Sequence, residues 1–342
     1  MMSDGEDSNA ETSGGNVGED IDIDALRGQL ISWYESDHRE FPWREINDPY
    51  AILVSEVMSH QTQIDRVIEA WEDFIDRWPT VETLAADNRS AVITFWSEHA
   101  LGYNNRAKYL HEAATQIVDE YDGTFPADPD ELTSLMGVGP YTANAVASFA
   151  FNNGDAVVDT NVERVLYRVF KQVRQADDPP YEPIASTLLP TGKSRIWNNA
   201  IMELGGVACE KTPQCDEASC PWRQQCHAYQ TGDFTAPDVP TQPSFEGSRR
   251  QFRGRIVRTL GEHGRLSIDT LGHRIRVDYV PDGTHGREWI YDIVTDLAND
   301  GLVNVETETE AGTAETAESK SASVTQNDED EVDSSVCVSL QS

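Results

Sequence analysis

Lysine is almost missing. Of 342 residues, Lys108, Lys171, Lys193, Lys211 and Lys320 are the lysines, against 60 aspartates and glutamates, for a net charge of −34. An acid load this large keeps a protein soluble but makes it repel itself. Such a load is best tolerated where salt screens it, since the Debye length falls to about 3 Å at 1 M. We therefore expect a salt-loaded, halophilic cytoplasm. The charge is not confined to the ends: residues 1–20 carry −6, 21–246 carry −20, 247–305 carry +1 and 306–342 carry −9. Also lacking are an apolar run of membrane length and a signal-peptide pattern at the acidic start, so a soluble protein without membrane contact is expected. Cysteine is scarce and odd in number: five, four of them between positions 209 and 226. That pattern excludes a secreted disulfide scaffold.

Against this background one short stretch stands out, Leu135-Met136-Gly137-Val138-Gly139-Pro140-Tyr141-Thr142-Ala143. Two glycines allow a tight turn and leave their N–H groups bare. Helices are expected on both sides, over 128–135 and 141–150. A helix that starts just after such a turn aims unpaired donors and a positive dipole end forward, and a phosphate suits that geometry. The plain alternative is an ordinary helix hairpin with a glycine link.

Upstream, an amphipathic helix is expected over 21–34, then a rigid turn Phe41-Pro42-Trp43-Arg44. The longest helical pattern runs from Tyr50 to Trp78, with Tyr50, Leu53, Val54, Val57, Ile64, Val67, Ile68 and Trp71 on one face. That face is broken for one turn by Ser59-His60-Gln61-Thr62-Gln63, with Glu56 a turn earlier. Either the helix bends over solvated polar residues or it carries a wet pocket or nucleic-acid surface. Further helices are expected over 81–87, 88–97 and 105–121. In Val158-Asp159-Thr160-Asn161-Val162, an aspartate follows two apolar residues and opens a helix, which suits an N-cap. Four cysteines, Cys209, Cys215, Cys220 and Cys226, follow as C-x5-C-x4-C-x5-C and read as a metal site. Zinc and an iron–sulfur cluster both accept four thiolates; the wide, even gaps tilt toward a cluster, with zinc the less favoured alternative. Cys337 reads as a bystander.

Taken in order, Phe41-Pro42-Trp43-Arg44, Ser55-Glu56-Val57-Met58, Gln61-Thr62-Gln63, Leu101-Gly102-Tyr103, the glycine hairpin, Val158-Asp159-Thr160-Asn161-Val162 and the four cysteines resemble the helix-hairpin-helix DNA glycosylases, and within them the MutY-type adenine glycosylases. The resemblance covers roughly residues 23–230. It implies an all-α enzyme of two helical lobes, one of six helices and one holding a [4Fe-4S] cluster loop over 209–226, acting as a monomer on double-stranded DNA with a mismatch or oxidised guanine. It implies Glu56 as general acid on adenine N7 and Asp159 as stabiliser of the sugar cation. Tyr141 stands where strand-cutting relatives carry a Schiff-base lysine, which implies a monofunctional hydrolase. Gln61 and Tyr103 resemble residues that enter the base stack; Arg44 and Asn161 resemble residues that hold the base and the catalytic groups; the N–H groups of Gly137, Val138 and Gly139 would hold a phosphate. His60 stands where the family usually has another glutamine, and the cysteine gaps depart from the family's six, two and five. A thymine glycosylase acting on G·T mismatches and a non-catalytic lesion-binding protein are the competing readings.

Residues 1–20 are expected to be disordered, 21–230 to form the glycosylase domain, and 231–248, with Pro237, Pro240 and Pro243, to be a linker. A small winged-helix-like domain is expected over 249–305, from helices over 252–262, 268–275 and 287–299 and a strand over 302–305. Its arginines, Arg249, Arg250, Arg253, Arg255 and Arg258, read either as a patch for phosphate or as charges that merely balance. No Nudix-like β-rich pattern follows. Residues 306–342 are expected to be a disordered acidic tail.

Overall fold

The computed structural model describes residues 21–171, 181–238, 244–307 and 336–341; the expected tail at 1–20, linker residues 239–243 and the acidic run 308–335 lie outside the described residues. The chain runs through α1 (Ile23–Ser36), α2 (Pro49–Ser59), α3 (Ile64–Arg77), α4 (Val81–Ala86), α5 (Arg89–Glu98), α6 (Asn105–Tyr121), α7 (Pro129–Thr133), α8 (Pro140–Phe151), α9 (Thr160–Phe170), α10 (Tyr181–Leu188), α11 (Ser194–Glu203), α12 (His227–Thr231), α13 (Arg249–His263), β1 (Leu266–Ser267), α14 (Ile268–Ile275), α15 (Arg287–Asn299), β2 (Val303–Thr307) and β3 (Val336–Leu340). It divides into two units, one of Met1–Asn47, Ala127–Pro129 and Ala143–Pro240, the other of Asp48–Pro126, Asp130–Thr142 and Thr241–Ser342.

In the first unit Asp22 caps α1 by accepting from the Ala25 N–H at 3.0 Å. Leu26, Leu30 and Tyr34, four residues apart, form its buried face. They meet Val162, Val165, Leu166 and Val169 of α9 and Trp197 and Ile201 of α11 in one apolar core. Each such side chain contributes about 1.5–3 kcal/mol on burial. Trp222 is fully buried and ties the cysteine loop to α1, its indole N–H donating to Leu26 O at 2.9 Å.

In the second unit the Tyr50–Trp78 pattern is two helices, not one. Asp48 caps α2 and Pro49 fills its first turn. From Tyr50 to Met58 the helix is buried except at Glu56. It stops at His60 because Gln61 takes a left-handed backbone, φ +56°, a conformation that ends a helix and costs an L-residue roughly 1–2 kcal/mol. α3 restarts at Ile64 and buries Val67, Ala70, Trp71 and Phe74. Phe74, Trp78 and Phe95 pack as an aromatic trio with centroids 4.7–5.4 Å apart.

The C-terminal segment packs within this second unit. Gly261 lets α13 approach α5: a Cβ there would meet Thr94 at 2.9 Å. Arg258 donates to Ser97 O at 2.9 Å, and Lys108 of α6 to Asp300 O at 2.9 Å. The segment has the three expected helices and a strand after the third, and it differs from the expectation in its sheet. Residues 336–340 are not tail. They form the central strand of a β1-β3-β2 antiparallel sheet, paired Val303 to Leu340 and Thr307 to Val336. Val336, Cys337 and Val338 are buried, so Cys337 is a core residue rather than a bystander.

Candidate active site and cysteine centre

Asp159 is the N-cap of α9, as its place in the sequence predicts. One carboxylate oxygen accepts from the backbone N–H groups of Asn161 at 2.9 Å and Val162 at 2.7 Å, the other from the Asn161 side-chain amide at 2.8 Å. Three donors pin the carboxylate at a helix N-terminus. Asn161 is held in turn: its amide oxygen accepts from Arg164 at 2.8 Å, and the same guanidinium donates to Gly205 O at 2.9 Å and Cys209 O at 2.7 Å. A Cβ on Gly205 would meet Asn161 Cβ at 2.8 Å, so the glycine is what admits Asn161. A hydrogen-bonded path thus runs from Asp159 to the backbone of the first clustered cysteine.

The four cysteine side chains line one pocket with Arg168, Val165 and Phe234, and none is in a disulfide. Burial pushes the Cys215 thiol up to about 11 and Cys220 to about 12, and raises Cys226 as well. Left to themselves these groups are neutral; a bound metal centre deprotonates them. Arg168, 2% exposed, lies beside them. It donates to Glu210 O at 2.6 Å, Lys211 O at 3.2 Å and Phe234 O at 3.0 Å, and faces Cys209 Sγ at 3.4 Å. Among the described residues its acceptors are carbonyls and sulfur, with no carboxylate. A buried cation so placed is compensated by anionic thiolates. Among the described residues no three ligating side chains converge on a single-ion position. Four cysteine side chains lining one pocket are a donor set that a zinc ion or an iron–sulfur cluster accepts.

Glu56, in the second unit, is half-buried on an otherwise apolar helix and is the sole carboxylate of α2. His60 ends that helix, with its ring 5.9 Å from the ring of Tyr141. Burial, then the neighbouring Arg106 charge, lower the His60 pKa. Arg106 donates to Val57 O at 3.3 Å, lies 4.7 Å over the Tyr103 ring, and is itself brought down to about 10 by burial. His60 and Arg106 share a pocket with Tyr109 and Gly137. Gln61 and Tyr103 sit on two adjoining loops and both have left-handed backbones, φ +56° and +48°. The Thr62 hydroxyl ties these loops by donating to Leu101 O at 3.3 Å. Such conformations persist where the surroundings over-determine them.

The hairpin glycines differ. Gly137 has φ +74° and a Cβ there would strike Tyr109 at 2.5 Å, so the turn itself requires it. At Gly139 a Cβ would meet nothing within 4 Å, so no contact within the described chain requires a glycine there. Val138 departs from expectation: its N–H already donates to Leu135 O at 3.1 Å, which takes it out of the phosphate-binding set and leaves the two glycines. Arg44 departs too. Its guanidinium is 7% exposed and bonded to Glu203 at 2.7 Å and Arg39 O at 2.7 Å, stacked 4.4 Å over Phe41. The ion pair with Glu203 holds the Arg44 guanidinium in one place. Burial alone would raise the Glu203 carboxyl, but the Arg39 hydrogen bond and the Arg44 charge outweigh it and hold the pKa low.

Sequence reasoning missed Arg106, Arg164, Arg168 and Glu203. For two of these a signal existed: Arg164 and Arg168 lie one turn apart on the helix that Asp159 opens.

Residues 54–188 match the HhH-GPD superfamily, described as base excision DNA repair proteins. The adenine DNA glycosylase of Mycolicibacterium smegmatis is 38% identical over 243 residues, covering 68% of this chain and 79% of that protein. A thermostable thymine-DNA glycosylase superposes with a TM-score of 0.56 at 29% identity, over 61% of this chain and 97% of that one. Endonuclease III trapped covalently on DNA superposes at 0.52 and 26% identity, over 62% of this chain and 99% of that one.

Proposed function

The chain belongs to the HhH-GPD superfamily of base-excision DNA repair proteins, on its MutY-type adenine-glycosylase side, and from that membership we propose that it hydrolyses the N-glycosidic bond of adenine paired with 8-oxoguanine or guanine. The observation that carries this reading is the Asp159 carboxylate, fixed by three donors at the start of α9. A base within a duplex is out of reach, so adenine is flipped out first. Glu56 then donates a proton to adenine N7, which turns the base into a better leaving group. Asp159, acting as carboxylate, stabilises the oxocarbenium sugar, and water adds to C1′. Tyr141 offers no amine for a Schiff base, so strand cleavage does not follow base loss.

Gln61 and Tyr103, on their left-handed loops, fill the gap the base leaves. The Gly137 and Gly139 N–H groups take a backbone phosphate at the hairpin, a contact that needs no basic surface. Asn161 holds Asp159 to one rotamer. Cys209, Cys215, Cys220 and Cys226 hold a [4Fe-4S] cluster, which when bound supplies negative charge and a cross-link for the loop. The enzyme acts as a monomer in a salt-rich cytoplasm; no helix among the described residues is long and apolar enough to cross a membrane.

The test is single-turnover base release from duplexes with one A·8-oxoguanine, A·G or G·T pair, at molar salt. Adenine is released from the first two without a strand nick. Glu56→Gln lowers the rate about 10²–10⁴-fold; a normal rate in that variant would sink the mechanism. Preferential release of thymine from G·T would favour the second reading, which the likeness to a thymine-DNA glycosylase supports.

A further inference from the structure

The C-terminal segment reaches Tyr103. Arg250, at the start of α13, donates to the Tyr103 hydroxyl at 3.1 Å and lies 5.9 Å over its ring. The same guanidinium lies 5.4 Å over the Phe245 ring. Arg106 also lies over the Tyr103 ring, at 4.7 Å. The result is a row of Arg106, Tyr103, Arg250 and Phe245, cation alternating with aromatic. Tyr103 is 40% exposed and Phe245 56% exposed.

Phe245 is not a loose end. Its carbonyl accepts from the Ser248 hydroxyl at 2.6 Å and the Ser248 N–H at 3.1 Å, and Ser248 caps α13. The aromatic is therefore held at a fixed turn. The neighbouring arginines turn elsewhere: Arg249 and Arg253 to Asp296 and Asp300, Arg258 to Ser97 O. Arg250 alone among them faces two exposed rings. In a chain of net charge −34, two cations interleaved with two exposed aromatic rings are an exception. Aromatic faces that accept a base, flanked by guanidinium groups that meet phosphate, are the composition of a nucleic-acid surface.

We propose that Phe245 and Arg250 are part of the DNA interface: a base stacks on the exposed Phe245 ring, and Arg250 contacts the phosphate beside it. The C-terminal segment thereby extends the surface begun by the Gln61 and Tyr103 loops, which the Thr62 bond already joins. This deepens the reading of the chain as a DNA glycosylase and rests on it.

The experiment uses the full chain and a duplex carrying an uncleavable adenosine analogue opposite 8-oxoguanine. Dissociation constants are measured across a KCl series. Arg250→Ala raises Kd about tenfold and reduces the slope of log K against log salt by about one. Arg250→Lys keeps the slope. Phe245→Ala raises Kd about tenfold with the slope unchanged. Thermal unfolding of each variant verifies that the α13 turn is intact. The proposal is overturned if Arg250→Ala leaves Kd unchanged, or raises it without altering the slope, the mark of a residue that merely braces Tyr103. Binding is read here without base release. A parent chain that binds but excises no adenine would therefore refute the proposed activity while these curves still decide the interface.

Discussion

The sequence concentrates unusual residues in two places, four cysteines over 209–226 and five arginines over 249–258, and the two differ in how far they satisfy themselves. On α13 the arginines find partners within the chain: Arg249 and Arg253 pair with Asp296 and Asp300, Arg255 donates to Ile275 O at 3.2 Å, Arg258 to Ser97 O at 2.9 Å and Arg250 to the Tyr103 hydroxyl at 3.1 Å. Two of the five, Arg249 and Arg253, thus meet carboxylates, Arg255 and Arg258 meet carbonyls, and Arg250 meets the Tyr103 hydroxyl and the Phe245 ring. The cysteine loop is the reverse. Its thiols are raised by burial, and the buried guanidinium among them is answered by carbonyls and sulfur. Four thiols gathered beside a buried guanidinium, with no carboxylate to meet it among the described residues, mark the loop as a place for a ligand.

The largest effects follow from the unanswered side. Cys220→Ser removes one ligand, and the expected result is loss of bound iron and sulfide with a loop that no longer folds. Iron and sulfide analysis with proteolysis of the 209–226 region reads this directly. Arg168→Met keeps the volume but drops the cation. With the centre loaded, it leaves uncompensated buried negative charge, a loss of about 3–5 kcal/mol, seen as a lowered unfolding midpoint. Retention of full iron and unchanged stability in both variants would abolish the contrast.

Next comes the path from that loop to Asp159. Arg164→Met breaks the bonds to Asn161, Gly205 O and Cys209 O together while leaving the capping bonds of Asp159 to backbone intact. We expect base release to fall about 10–100-fold with DNA affinity little changed, because the Asn161 amide no longer fixes the carboxylate. Equal losses in rate and affinity would make Arg164 a folding residue.

Much of this was legible beforehand, for identifiable reasons. The bounds of α6, α14 and α15 follow from apolar periodicity, and Asp159 as a cap follows from chemistry local to four residues. The break at Gln61 was visible as polarity but not as a chain reversal, because a left-handed backbone at a non-glycine residue is imposed by its surroundings. β3 was hidden by its neighbourhood: five strand-forming residues sit behind a long acidic run, and pair with β2 across it. The burial of Arg44 was invisible because its partner Glu203 lies 159 residues away.

A smaller effect separates the His60 pocket from both clusters. The fold lowers the His60 pKa through burial and the Arg106 charge, so the neutral imidazole is the form it favours. That stabilisation is complete above the free value of about 6.5 and is lost as pH falls through it toward the lowered folded value. His60→Gln carries no such titration. The gap in unfolding midpoint between parent and variant should therefore shift against the parent between pH 8 and pH 5. A constant gap would show that His60 does not titrate with folding.

The smallest effect belongs to the balanced charges. Arg249 and Asp296 are 2.7 Å apart with side chains 43% and 49% exposed, an exposed pair worth about 0–1 kcal/mol. Arg249→Ala should lower stability by at most that amount in dilute buffer. At 1 M KCl, where screening acts within about 3 Å, the difference should shrink further. DNA affinity should respond less than for Arg250→Ala, because Asp296 already neutralises the charge that a phosphate would meet. Denaturant titration at the two salt concentrations, with one binding curve, measures all three. If Arg249→Ala weakens DNA binding as much as Arg250→Ala does, the ion pairs of α13 open on contact with DNA, and the whole helix, not its first turn, faces the duplex.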